Sequence, residues 1–325
     1  ENLRNIFYRN ELSEKEILFE AANTLRMGKN HRKLMFLVEL MISLCLLELA
    51  GASELSAIDD SGTKISLHSP ATRIIAMSPD LTEVVFELGA GHKLVGVDEY
   101  SNYPSQASEI MRVNSSASAN FELIVSLEPD LVLVWKTGNG ARTISRLRDL
   151  GLPVFVVETQ RVADIPALYQ RLGILLDQKA LATQLAEKFL HEIDVIRQSI
   201  HSQPEITVFY EIWDDPLMTL SGQHMVSDAI SICGGKNIFE DMVPIAPLVS
   251  LESVVAADPQ VIITSGSREG LQNWRSRWAR WGGMTAVEKQ HLFMIAPDLL
   301  LRQSGRLIEG IKSLCEKMLE ARSVR

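Results

Sequence analysis

Glu122-Leu123-Ile124-Val125-Ser126-Leu127-Glu128-Pro129-Asp130-Leu131-Val132-Leu133-Val134 aligns without a gap on Glu252-Ser253-Val254-Val255-Ala256-Ala257-Asp258-Pro259-Gln260-Val261-Ile262-Ile263-Thr264, 130 positions further along the chain. Each copy reads as a helix opening on Glu, a turn at Pro, and a short apolar run suited to a buried strand. Two copies are too few to stack as a solenoid. They predict two similar lobes facing each other across a cleft, and clefts between domains are where small ligands bind.

The flanking sequence supports two α/β units. Arg73-Ile74-Ile75-Ala76-Met77 is a strand ended by the cap cluster Ser78-Pro79-Asp80. Leu81 to Leu88 has helical spacing and stops at Gly89-Ala90-Gly91. Strands follow at 93–97, 131–134 and 154–157, with helical stretches between, which implies parallel sheets covered on both faces. From Asp164 to about His201 the alternation gives way to helix, with Asp177 as a second cap. The piece from Gln178 to His201 would span about 36 Å at 1.5 Å per residue. The alternation restarts at Ile206-Thr207-Val208-Phe209-Tyr210. The predicted architecture is two doubly covered α/β lobes joined by a long rigid helix, with the ligand cleft between them. Residues 53–163 form the N-terminal lobe, 164–203 the linker helix region and 204–325 the C-terminal lobe.

The N-terminal 52 residues are a different kind of sequence. They carry seven basic and seven acidic side chains, so the net charge of −9 resides wholly in the remainder. Met27 opens the basic stretch Lys29-Asn30-His31-Arg32-Lys33, followed by a mostly apolar run from Leu34 to Leu49 and by Ala50-Gly51-Ala52. That order predicts a signal peptide over 27–52 and a mature chain from near Ser53 in the periplasm. Glu39 and Glu48 interrupt the run, and a buried or membrane-anchoring helix is the alternative. Residues 1–26 are read as an upstream or non-native segment. Cys45 is a poor lipid-anchor site, since Leu44 stands where a small residue belongs. Cleavage would leave Cys233 and Cys315, an even pair that suggests one disulfide in an exported protein.

Composition is that of an ordinary globular protein, and the acidic balance argues against nucleic acid as a partner. No CxxC, HExxH, GxSxG or P-loop occurs. The histidines lack metal-ligand spacing, and Gly89-Ala90-Gly91 ends a helix where a dinucleotide site would begin one. Asp214-Asp215 reads as a solvated loop. No catalytic residue, metal site or cofactor is expected, and an exported, acidic, two-lobed chain of this kind suggests a solute-binding protein.

The segments Arg73 to Glu83, Leu94 to Val97 and Leu123 to Val132 resemble the helical-backbone (class III) periplasmic binding proteins of ABC importers for cobalamin, haem and iron–siderophores. The resemblance covers residues ~70–320. Within that family the likeness is greatest to cobalamin binders, on Tyr100-Ser101-Asn102-Tyr103-Pro104, Trp135-Lys136-Thr137-Gly138-Asn139 and Cys233-Gly234-Gly235-Lys236-Asn237-Ile238-Phe239. Cys233 and Cys315 also fall where those proteins carry disulfide cysteines. The resemblance implies a corrinoid ligand, with Asp80 and Leu81 on the N-lobe rim, Tyr100 and Trp135 packing on the disc, Trp213 near the C-lobe rim, and Asp298 accepting an amide hydrogen. Ser116 and Ala246 stand where cobalamin binders carry further cleft tryptophans, which predicts weaker binding, another corrinoid such as cobinamide, or another flat ligand.

The alternative for Trp135 is a core residue ending a strand; Trp274, Trp278 and Trp281 are read mainly as C-lobe packing. Glu122 and Glu252, equivalent through the repeat, are expected to dock a monomeric carrier onto a dimeric ABC-importer permease. Ordinary helix-N-terminal acids are the alternative. Haem binding through Tyr100, or ferric-siderophore binding through Arg142, Arg268 and Arg302, is the second reading. An exported enzyme on the same scaffold is the third.

Overall fold

The computed structural model describes residues 54–115, 118–266 and 268–323. The expected upstream segment 1–26, signal peptide 27–52 and mature start near Ser53 lie outside the described residues. Leu55–Arg325 forms one compact unit.

A hairpin of β1 (Leu55–Ile58) and β2 (Lys64–Leu67) opens it. There follow β3 (Ile74–Ala76), α1 (Pro79–Glu87), β4 (Leu94–Asp98), β5 (Arg112–Asn114), α2 (Phe121–Ser126), β6 (Leu131–Trp135), α3 (Lys136–Asp149) and β7 (Val154–Val157). Two helices come next, α4 (Asp164–Leu175) and α5 (Lys179–Ile200). The second half runs β8 (Ile206–Glu211), β9 (Trp213–Asp214), β10 (Leu217–Met218), α6 (Met225–Ile232), β11 (Gly235–Asn237), α7 (Leu251–Ala257), β12 (Val261–Ser265), α8 (Arg268–Trp278), α9 (Thr285–Glu288), β13 (Leu292–Ile295), α10 (Pro297–Leu300) and α11 (Leu307–Ser323).

The large sheets are both parallel, in the orders β5-β4-β3-β6-β7 and β11-β8-β12-β13. Matching β3 with β8, β4 with β11, β6 with β12 and β7 with β13 superposes the two strand orders, so the duplication is architectural. It extends to the turns. Glu128 and Asp258, equivalent residues before the two prolines, both take left-handed backbone (φ 47° and 42°). Two residues on, the Asp130 carboxylate accepts from the backbone N–H of Thr72, while the Gln260 amide oxygen accepts from that of Thr207.

Both sheets are covered on both faces. Ile74, Ala76, Leu131, Leu133 and Phe155 pack into one cluster, while their alternating neighbours Ile75, Met77, Val132, Val134 and Val154 pack into another. In the second sheet Val208, Tyr210, Val261 and Ile263 join the first cluster and Phe209 and Ile262 a third. One continuous core thus runs through both lobes. On the buried face of α5, Ala182, Phe189, Ile193, Ile196 and Ile200 join that core along the helix. At about 33 Å, α5 is a braced strut.

Asp177 does not cap α5, as its position in the sequence had suggested. It adopts φ +57° between α4 and α5, a conformation Asp tolerates better than most residues, and Gln178 stands at the cap position. Gly89 ends α1 at φ +70°, its expected role. Cys233, at the end of α6, and Cys315, in α11, form a disulfide.

Candidate ligand surface between the lobes

In an open parallel sheet, ligands bind beyond the carboxyl ends of the strands. Five of the large apolar side chains exposed among the described residues lie on loops leaving those ends. Tyr100 (59% exposed) and Tyr103 follow β4; Trp213 (59%) follows β8; Val243 (79%) and Leu248 (63%) lie in the loop after β11. Large side chains so exposed, on this edge of both sheets, cost solvation free energy unless something covers them.

The C-lobe part of this surface is built by backbone register. Trp213 pairs with Met218 in the β9–β10 hairpin, and Met218 pairs in turn with Leu248. Directly paired antiparallel residues present side chains on the same face, so Trp213, Met218 and Leu248 stand in one rank across a three-stranded ribbon. The indole N–H of Trp213 donates to the Asp215 carbonyl at 3.0 Å, which fixes the ring on its hairpin. Ala246 is exposed two residues from Leu248. Sequence reasoning missed Met218 and Leu248 because the pairing that aligns them with Trp213 is a tertiary fact, and Val243 because no motif marks its exposure.

On the N-lobe, Asp80 is buried in the first turn of α1, and burial pushes its carboxyl above the ordinary value. Leu81 corrects the expectation of a rim contact: its side chain is fully buried in the continuous core, on the inward face of α1, so it offers no side-chain surface to a ligand. Trp135 ends β6 half-buried. Its backbone N–H donates to Asn139 Oδ1 at 2.7 Å, and its ring lies over Gly138, where no Cβ could fit. Much of this ring is spent on packing. Ser116 lies outside the described residues.

Asp298 is half-exposed on α10 and pairs through Oδ1 with Arg302 Nη2 at 3.0 Å. Arg302 Nη2 also approaches the Tyr100 carbonyl at 3.4 Å, so one guanidinium brings together two expected site residues from different lobes. Its Nη1 donates to Glu83 Oε1 at 2.6 Å. Arg142 is exposed on α3, and the Arg268 side chain lies outside the described part of the chain. Among the described residues no group of His, Cys, Asp and Glu is placed to hold a metal ion.

Trp274 and Trp278 pack in the C-lobe as expected, but Trp281 is 39% exposed, which corrects its reading as a packing residue. It follows the end of α8, beyond the turns that face the sheet, and lines a cavity of about 300 Å³ with Trp278, Leu217 and Leu251. Beneath it, burial pushes the Glu211 carboxyl up despite bonds from Trp278 Nε1 (2.7 Å) and Arg277 (2.9 Å). At that volume, at the floor of the usual small-molecule range, the cavity suits a side chain better than a large disc.

Glu122 and Glu252 occupy matching places. Asn120 Oδ1 accepts from Leu123 N–H, and Ser250 Oγ accepts from Ser253 N–H, each capping a helix with the Glu exposed in its first turn. A helix entering a parallel strand begins at the same edge as that strand's carboxyl end, so both acids lie toward the ligand-facing edges of their sheets.

Glu87 is a titrating group sequence reasoning did not single out. Tyr169 O–H donates to its Oε2 at 2.6 Å and Gly305 N–H at 3.1 Å, and burial pushes the carboxyl up to about 7. Glu83 and Arg306 face it, and Lys188, Glu192, Glu309 and Lys312 line the cavity of about 310 Å³ beside it. A raised carboxyl pKa favours the fold below the unfolded pKa, and that contribution is lost as pH rises through the folded value. Between pH 4.5 and 7 stability should fall by about 3 kcal/mol from this group alone. In Glu87→Gln that portion of the slope should vanish, leaving the variant more stable than wild type at pH 8. Urea unfolding at pH 5 and pH 8 measures it; equal slopes in the two proteins would refute the assignment.

A model described as periplasmic binding protein matches residues 74–299. The chain is 34% identical to the vitamin B12-binding protein of Vibrio cholerae serotype O1 over 76% of its own length and 88% of that protein's. Identity to the vitamin B12-binding protein of Yersinia pestis is also 34%, covering 76% and 86% respectively. The crystal structure of the periplasmic vitamin B12-binding protein BtuF of Vibrio cholerae superposes with a TM-score of 0.71 at 33% identity, covering 78% of this chain and 98% of that one. The periplasmic heme-binding protein RhuT from Roseiflexus sp. RS-1 has the same fold, with a TM-score of 0.69 at 21% identity over 78% and 99%. The chain belongs to the periplasmic binding protein family.

Proposed function

We propose that the protein is the periplasmic carrier of cobalamin or a related corrinoid, gripping it between lobes and delivering it as a monomer to the dimeric permease of an ABC importer, without catalysis. The observation that carries this reading is the rank Trp213–Met218–Leu248, an exposed apolar platform at the ligand edge of one sheet, with exposed Tyr100 at that of the other. A corrinoid is a broad, mostly apolar disc with amides at its rim. Stiff aromatic and aliphatic surface covers such a face at small entropic cost, and Asp298 Oδ2, which has no protein partner among the described residues, suits a rim amide. Likeness to the two vitamin B12-binding proteins supports the same ligand class.

The Arg302 charge is offset by Glu83 and Asp298, which counts against a ferric-siderophore anion held by that arginine. Haem remains the reading to test beside cobalamin, through the exposed Tyr100. Titration of the purified protein with cyanocobalamin, followed by tryptophan fluorescence and calorimetry with haem in parallel, should give one-to-one binding at micromolar or tighter affinity. Trp213→Ala should weaken it about tenfold, as loss of one buried aromatic contact implies. Saturable haem binding without cobalamin binding would overturn the corrinoid assignment.

A further inference from the structure

A carboxylate with no surface of its own stands behind this ligand surface. The Glu83 side chain, on α1 of the N-lobe, is fully buried, and three side chains of the C-lobe segment before α11 converge on it. Arg302 Nη1 donates to Oε1 at 2.6 Å, Arg306 Nη1 donates to the same oxygen at 3.0 Å, and Ser304 O–H donates to Oε2 at 2.5 Å. A charge withdrawn from water is tolerated only when paired and hydrogen-bonded in this way, and such pairs demand one geometry. The Arg306 guanidinium is also held from its other side, 3.8 Å from the centroid of the Tyr103 ring, on the N-lobe loop that carries Tyr100.

Arg302 is the informative member. With Nη1 committed to Glu83, its planar fork leaves Nη2 to reach Asp298 Oδ1 at 3.0 Å and the Tyr100 carbonyl at 3.4 Å. One buried N-lobe carboxylate thereby orients a C-lobe guanidinium. That guanidinium holds the carboxylate expected to receive a ligand amide, together with the backbone of the N-lobe loop that exposes Tyr100. The bonds span 219 to 223 residues of chain, so they tie lobe to lobe and do not stiffen a single loop.

We propose that Glu83 is a positioning residue for the ligand surface, acting through Arg302 to hold Asp298 and the Tyr100 loop in their ligand-ready arrangement before any ligand arrives. Glu83 touches no ligand. Its contribution is pre-organisation, which lowers the ordering cost of binding. That ligand is the corrinoid of the preceding section, and only the affinity arm of the test depends on that reading.

The test compares wild type, Glu83→Gln and Arg302→Lys. Gln keeps the shape of Glu83 but removes its charge. Lys keeps the charge of Arg302 but lacks the fork that reaches Glu83 and Asp298 together. The first readout is amide hydrogen exchange in the unliganded proteins. Segments 99–104 and 297–306, one from each lobe, should both exchange at least tenfold faster in each variant, with the strands of both sheets unchanged. This readout needs no ligand and decides the proposal even if wild type binds no corrinoid.

The second readout is cyanocobalamin affinity. Glu83→Gln should weaken it at least tenfold, and adding Asp298→Asn to Glu83→Gln should cost less than the two single changes combined, because both act through one guanidinium. A merely structural Glu83 would lower stability while leaving the affinity, and its additivity with Asp298→Asn, unchanged. If Glu83→Gln fails to fold, Arg302→Lys carries the exchange arm alone. Unchanged exchange in the two segments of a folded variant overturns the proposal.

Discussion

Replacing both disulfide cysteines (Cys233→Ala with Cys315→Ala) should lower the unfolding free energy by about 4.5 kcal/mol, the chain-entropy value for a loop of this length, and the melting temperature by about 10 °C. The bridge spans 82 residues, so opening it releases most of the C-lobe sequence to explore unfolded conformations. The folded state keeps its geometry at this corner, with a smaller added cost for the packing of the two deleted sulfurs. Both sulfurs sit in the continuous core, and α11 stays tied to the same corner by Arg322, whose Nη2 donates to the carbonyls of Cys233 and Gly234 at 2.9 and 2.7 Å. Because the effect lies in the unfolded chain, ligand affinity of the folded variant should match wild type. Urea unfolding of the variant, and of wild type with and without reductant, checks both statements. A loss below 1 kcal/mol would mean that the bridge constrains nothing the fold does not already hold.

If Glu122 and Glu252 dock the permease as expected, reversing both (Glu122→Lys with Glu252→Lys) should abolish delivery while sparing the carrier itself. Neither carboxylate makes an ion pair among the described residues, and both are exposed, so their removal breaks no internal bond. Each substitution gives up a favourable place at a helix N-terminus, worth about 0.3–1 kcal/mol. Against a permease surface that presents cations to them, each reversal turns attraction into like-charge contact, which costs several kcal/mol. ATP hydrolysis by the reconstituted importer, stimulated by liganded carrier, should fall at least tenfold in the double variant and by an intermediate amount in each single variant. Wild-type stimulation should weaken as salt screens the encounter. Undiminished stimulation by a double variant that still binds ligand would remove both acids from the docking surface.

The parts legible in the sequence are those set by neighbours along the chain. Strand runs, helix caps and the proline turns of the repeat follow from residues a few positions apart, which is why the equivalent left-handed residues Glu128 and Asp258 fall where the aligned segments place them. Even there local reading had a limit. Asp177 has the composition of a helix cap, but the chain used its tolerance of left-handed backbone instead.

The candidate site was legible as positions more than as surfaces. Tyr100 and Trp213, two of the expected site residues, are both exposed. Leu81 belongs to the same motif as Asp80, but the angular position of each side chain on α1 sends Leu81 into the core. Val243 and Leu248 carry no motif, and Leu248 joins Trp213 and Met218 only through strand register.

Two related α/β units, a helical strut between them, a pair of cysteines and a pair of equivalent acids are written along the chain as short-range patterns and an internal repeat. The tertiary structure alone decided that Glu83, more than two hundred residues away, offsets the charge of Arg302, and that Trp213, Met218 and Leu248 share a face. Burial and pairing depend on which distant segments meet in the packed core, and one-dimensional spacing does not contain that information.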